Sequence, residues 1–210
     1  MRLQIGGVRL HAAGPFALLS SVMTIVAIDF EASCLPRHGR SFPIEVGIAG
    51  DGLSSRSWLI RPHADWAGWT WTATAEAVHG LSLDRLYRDG LPAEAVAADL
   101  IEAIGDRRLI ADSLLDGIWM ETLMGVAGMA TPPIAHVREL FEELDARDAD
   151  IVIAQAAMAA RPFRRHCAGE DARWLAAMIA EVEAAARQRQ RTTGVPIFVW
   201  EARAPAWVAV

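Results

Sequence analysis

Thr24-Ile25-Val26-Ala27-Ile28-Asp29-Phe30-Glu31 is the stretch on which the reading of this chain turns. Its first five residues carry no charge and are apolar or β-branched, the pattern of a buried strand. Two carboxylates follow, at Asp29 and Glu31. Side chains two apart on a strand share a face, and acids are disfavoured within strands. Held side by side, the pair would repel, and one of them would keep its proton. A divalent cation between them removes the conflict. Taken alone, the pair also fits two acids in the loop that follows a strand.

The segments beyond this strand alternate in a readable order. Ile44 to Ala49 and Ser54 to Ile60 predict two more strands around the hairpin signal Gly50-Asp51-Gly52. Short helices are expected at Thr74–Val78 and Leu83–Tyr87, then a clearer one over Pro92–Ile104 with Pro at its first position. Arg108–Ala111 predicts a fourth strand. Asp112 or Ser113 is placed to cap a helix running to about Met124. Ile134–Leu140 is read as a fifth strand, and Ala149–Ala160 and Glu170–Arg187 as helices. Strands first, then strands alternating with helices, predict one α/β domain with a mixed five-stranded sheet flanked by helices.

Composition bounds the function. With 210 residues the chain is long enough for one substantial core. A net charge of -6 argues against indiscriminate coating of duplexes, which needs many phosphate contacts, and leaves room for an enzyme that grips a few nucleotides. The two cysteines, Cys34 and Cys167, make neither a disulfide framework nor a paired zinc motif, and suit a cytoplasmic protein. The apolar stretch Ala12–Ile28 loosely resembles a leader or an anchor, but Gly14, Pro15, Ser20 and Ser21 interrupt it and it runs into Asp29. No membrane association is expected. Residues 1–22 are read as a poorly structured extension, with Met23 a plausible start. Residues 23–190 form the domain, and residues 191–210 a tail packed on it.

Three further residues carry chemistry. Asp116 falls in the first turn of the helix after the fourth strand, where the helix dipole favours a carboxylate in any case. Asp171 lies on the same helical line as Leu175, Met178, Ile179 and Val182, so an acid sits on a core-facing stripe and needs a partner. His166 precedes it by five residues across Gly169, on a loop at the helix start. Singly, each also fits a capping or surface role.

Together these motifs resemble the DEDDh 3′-5′ exonucleases of the RNase T-like superfamily, which have an RNase H-like fold. Ala27-Ile-Asp-Phe-Glu-Ala-Ser-Cys34 resembles that family's first motif, Phe42-Pro-Ile-Glu-Val-Gly47 its second strand, and Val78-His79-Gly80-Leu81 a later segment. His166-Cys-Ala-Gly-Glu-Asp-Ala172 resembles its third motif. The second motif departs: the family often has His-Asn where this chain has Ala111-Asp112, while Asp116 is kept.

The resemblance implies a three-layer RNase H-like fold and a metal-dependent 3′-5′ exonuclease. Its substrates would be 3′ ends of single-stranded DNA, RNA or short oligonucleotides. Asp29, Glu31, Asp116 and Asp171 would hold two Mg2+ or Mn2+ ions, with Asp29 shared between them. His166 would take the proton from the attacking water. Backbone around Phe30, Ala32 and Ser33 would approach the terminal hydroxyl. From the residues themselves, Phe42 reads as a base-stacking side chain or as a core residue, and Arg161, Arg164 and Arg165 as phosphate contacts or an ordinary solvated turn. Many relatives dimerise, so a homodimer is compatible. The competing readings are a catalytically impaired nucleic-acid-binding protein on the same fold, and a nuclease that cuts internally. Trp66, Trp69 and Trp71 read as a cluster packed under a loop, with a nucleobase platform as the other option. Glu45 reads as an orienting group, and His79 as a structural hydrogen-bonding residue.

Overall fold

Alternation along the first strand divides the molecule into layers. In β1 (Ile25–Ala32), Val26, Ile28, Phe30 and Ala32 point to one face, and Ala27, Asp29 and Glu31 to the other. The computed structural model describes residues 24–50 and 54–193. Within it, β1 pairs antiparallel with β2 (Pro43–Ala49), and β2 with β3 (Ser55–Arg61), as the hairpin signal predicts. Residues 51–53, which include the expected turn glycine Gly52, lie outside the described part. So do residues 1–23 and 194–210, and with them the expected extension and nearly all of the expected tail.

Helices α1 (Ala73–His79) and α2 (Leu83–Asp89) follow, each with its first turn closed by a hydroxyl, from Thr72 and Ser82. The sheet has six strands rather than five. The extra one is the two-residue β4 (Leu91–Pro92), which pairs parallel to the end of β3. Pro92 therefore precedes helix α3 (Ala93–Ile104) instead of opening it. β5 (Arg108–Ala111) runs parallel to β1, and helix α4 (Leu115–Ala127) follows. The expected strand to Leu140 stops early. β6 (Ile134–His136) is three residues long, because the His136 ring accepts from the Arg138 amide and Glu139 reaches back to the His136 amide. That reciprocal cap starts helix α5 (Val137–Glu143). Helices α6 (Asp148–Met158) and α7 (Ala168–Thr193) complete the order.

The sheet order is β4-β3-β2-β1-β5-β6. On one face, Ile28, Ile44 and Ile60 pack against Val96 and Leu100 of α3 and Met120 and Leu123 of α4. Each of these side chains is essentially removed from water, a contribution of about 1.5–3 kcal/mol apiece before the entropy of ordering. On the other face, Ala27 and Ile110 meet Leu175 and Ile179 of α7 and Leu140 of α5. Helix α6 packs outside, with Ala154 and Met158 against Ala177, Met178 and Val182. The mixed sheet thus lies between two helical layers, the α/β architecture expected from the element order. Among the described residues no helix is long and apolar enough to cross a membrane.

Candidate active site

The acids converge at the end of β1, beyond the point where β5 stops pairing with it. The parallel register ends at Ala27 opposite Ile110, so the edge of β1 facing β5 is open at Asp29 and beyond. Helix α4 closes it. The Phe30 amide donates to Asp116 Oδ1 at 3.1 Å, and Asp116 is 1% exposed. Its other oxygen, Oδ2, is buried and has no hydrogen-bond partner among the described residues.

Helix α7 reaches the same place from across β2. Gly47 lies opposite Asp29 in the antiparallel register, and a Cβ there would stand 2.2 Å from the Ala168 carbonyl carbon. The missing side chain lets the start of α7 lie directly on the strand. Glu45, two pairs along and opposite Glu31, accepts from the Ala168 amide at 3.1 Å. It is buried and anchors the helix end, the orienting role expected for it. Asp171 Oδ2 accepts from the Cys167 amide at 3.0 Å, closing the turn. His166 precedes this turn with φ +61°, a left-handed backbone uncommon for a residue with a side chain. It is exposed.

Two carboxylate triads result. Asp29, Glu31 and Asp171 form one, and Asp29, Asp112 and Asp116 the other. In each, one ligand oxygen per residue falls within 4.8 Å of the others. Asp29 belongs to both. Burial followed by the charges of Asp116, Asp171, Glu31 and Asp112 pushes Asp29 up to about 10. Burial and the neighbouring acids likewise push Glu31 up to about 8. Asp116 rises to about 8, through burial and then Asp112, against the pull of the Phe30 amide. Burial raises Asp171 too, while the Cys167 amide and the charges of His166 and Arg165 draw it back. Without cations these acids are expensive to ionise together. The all-oxygen donor set and the orphaned Oδ2 of Asp116 suit hard divalent cations.

A cleft of about 270 Å3 opens beside the triads, lined by Phe30, Glu31, Ala32, Trp119, His79 and His166 among others. His79 Nδ1 accepts from the Leu81 amide at 3.0 Å, which assigns the ring proton to Nε2. Burial pushes its pKa down to about 4.

The expected substrate contacts divide. Ala32 stands at the register shift that ends the β1–β2 pairing and lines the cleft. The Phe30 and Ser33 amides are already used, by Asp116 and by the Phe42 carbonyl at 3.0 Å. Phe42 takes the second of its two readings. It is 4% exposed and stacks on Trp66 at 5.6 Å between ring centroids, so it belongs to the core rather than to a base platform. Trp66, Trp69 and Trp71 pack around it and against the core. Arg161 is paired with Glu181, whereas Arg164 and Arg165 are exposed on the loop that carries His166.

Asp112 is the member that sequence reasoning missed. Of the two residues placed to cap α4, Ser113 meets the Leu115 amide with its Oγ at 3.1 Å, and Asp112 faces the triad. Its only signal in the sequence is an acid directly after a strand.

Neither a scan against protein-family models nor a search of curated proteins finds a match. Solved structures do match. Exonuclease I from Methylocaldum szegediense aligns with a TM-score of 0.59 and 13% identity over 80% of this chain and 41% of its own. The zinc-bound E. coli exonuclease I complex with single-stranded DNA gives a TM-score of 0.60 and 12% identity over 81% and 42%. Pop2p from S. pombe, in a form bound to Mg2+ and Mn2+, gives a TM-score of 0.53 and 12% identity over 82% and 85%. The chain spans about two-fifths of the length of the exonuclease I proteins and most of that of Pop2p. It shares their fold, an RNase H-like mixed sheet between helical layers.

Proposed function

We propose that this chain, with its RNase H-like fold, is a metal-dependent 3′-5′ exonuclease that shortens single-stranded DNA, RNA or short oligonucleotides one nucleotide at a time. The observation that carries the reading is the pair of carboxylate triads sharing Asp29, set beside a cleft that His166 and Glu31 both line. The bound states of the structural neighbours support it: single-stranded DNA in E. coli exonuclease I, Mg2+ and Mn2+ in Pop2p.

Each residue then has a task. Asp29, Glu31 and Asp171 hold one cation, and Asp29 with Asp116 the other. A cation pair supplies an acidified water and charge relief on the phosphate. His166 accepts the proton of the attacking water at an imidazole nitrogen, as a general base lining the cleft can. Its place on a loop outside both triads leaves the ring available for this. The cleft receives the terminal nucleoside, with the backbone at Ala32 close to where a 3′ hydroxyl would lie. Arg165, on the same loop as His166, faces the phosphate. A cytoplasmic setting fits Cys34 and Cys167, both free thiols.

The test is direct. End-labelled single-stranded DNA and RNA are incubated with the protein and Mg2+ or Mn2+, beside the Asp29→Ala variant. Stepwise shortening from the 3′ end that disappears in the variant is expected. An intact substrate with either metal would sink the proposal, and internal cuts would replace it with an endonuclease.

A further inference from the structure

We infer that Asp112 is a third protein ligand of the second cation, so that this site loads before any nucleic acid arrives. The inference rests on the two-cation reading above and goes beyond it in one respect. That reading gives the second site Asp29 and Asp116, and leaves the ion to find its remaining oxygens in water and substrate.

The geometry supplies a further carboxylate. β5 runs parallel to β1 with Ile110 opposite Ala27. The pairing stops there, and past Ala111 the chain still brings Asp112 to Asp29. An oxygen of Asp112 comes within 4.8 Å of oxygens from both Asp29 and Asp116. The second observation is Asp116 itself. It is 1% exposed, its Oδ1 is fixed by the Phe30 amide, and its Oδ2 has no partner. A buried carboxylate oxygen without a donor costs free energy unless something positive meets it. Asp112 cannot be that partner, because it adds another negative charge. A cation seated among Asp29, Asp112 and Asp116 resolves both problems at once. Asp112 is exposed, which leaves the site open to solvent and to an incoming phosphate.

Ligand charge sets the affinity of such sites. Three carboxylates, one of them shared, bind a divalent ion more tightly than two. The second site is then occupied in the resting protein, and the substrate meets both ions in place.

The test uses the full chain without nucleic acid. Mn2+ binding is followed by calorimetry and by the electron paramagnetic resonance signal of free Mn2+, in wild type and Asp112→Asn. Two bound Mn2+ per wild-type chain are expected. Asp112→Asn should weaken one site by at least about tenfold and leave the other unchanged. The same titration at high salt separates ligation from remote attraction. An exposed charge acting at a distance is screened, while a lost ligand stays lost. Asp112→Asn with both affinities at wild-type level, a defect that vanishes at high salt, or a wild type that binds a single Mn2+ would each overturn the inference. Cleavage is scored separately. A protein that loses one Mn2+ on Asp112→Asn yet cuts no nucleic acid would uphold the site and reject the exonuclease.

Discussion

The Phe30 amide and the Asp116 carboxylate meet at 3.1 Å across 86 residues of sequence. That single bond joins the open edge of β1 to the first turn of α4. It also divides the labour of one side chain, since Oδ1 serves the backbone and Oδ2 is left without a partner. The first strand and the helix start are thereby locked in the spacing that brings Asp29 and Asp116 together. A structural bond and a cation ligand share one carboxylate.

Asp116→Asn and Asp116→Ala should therefore part company. In the cation-free protein, Asp116→Asn keeps an oxygen for the Phe30 amide and removes a charge that burial and Asp112 oppose. It should melt above wild type near neutral pH. Asp116→Ala leaves the Phe30 N–H buried and unpaired, and should be less stable than Asp116→Asn by about 1–3 kcal/mol. Thermal unfolding in chelator measures both. A melting temperature for Asp116→Asn below that of wild type would show that its charge is not under strain.

Stability should also depend on pH, in a direction fixed by the acids. The folded protein raises Asp29 from 3.8 to about 10, Glu31 from 4.5 to about 8 and Asp116 from 3.8 to about 8. Between the ordinary and the raised values the folded state holds more protons than the unfolded state. Stability therefore falls as pH rises. In chelator, the melting temperature should drop from about pH 5 to about pH 8. Millimolar Mg2+ or Mn2+ should reverse the drop, because ions bind the ionised folded form. A cation-free melting temperature that is flat or rises over this range would contradict the arrangement.

What the sequence disclosed follows from what is local. Apolar period and β-branching marked β1, and the three- and four-residue spacing from Asp171 to Val182 marked the buried line of α7. These signals lie within single elements. Asp112 was not foreseen in the triad because its role depends on register. Nothing between Arg108 and Asp116 says that Ile110 will stand opposite Ala27. Phe42 stayed between two readings for a similar reason, since only the distant Trp66 ring determines that it is covered. Ile134–Leu140 was read as one strand, but the side chains of His136 and Glu139 end it by capping a helix. Long-range pairing and competing side-chain bonds lie outside any period count.

His166 requires a variant that respects its backbone. At φ +61°, alanine would add strain to the loss of the ring, whereas asparagine tolerates this region. His166→Asn should lower the rate of cleavage by about 10²- to 10⁴-fold. Neither triad includes His166, so Mn2+ affinity should stay near that of wild type. Single-turnover cleavage and Mn2+ titration, run on one preparation, check the pair of outcomes. If Mn2+ affinity collapses with the rate, His166 positions ions rather than protons.

Gly47→Ala tests how the second half of the centre is held. Gly47 sits opposite Asp29 and under the first residues of α7, where an added methyl would lie 2.2 Å from the Ala168 carbonyl carbon and 2.3 Å from the Gly169 nitrogen. Both are backbone atoms, so no side chain can rotate away. The helix start must move, and the Ala168 amide must stretch from Glu45, its acceptor. Overpacking of this kind costs about 1–3 kcal/mol, and the chain should still fold around the opposite face of the sheet, which α3 and α4 cover. Asp171 and His166 move with the helix, while Asp29, Asp112 and Asp116 do not depend on it. Gly47→Ala should therefore weaken the Mn2+ held by Asp29, Glu31 and Asp171, spare the other, and lower cleavage. Equal weakening at both sites would mean that the strand moved rather than the helix. Unchanged binding with a lower melting temperature would mean that α7 absorbs the methyl without shifting Asp171.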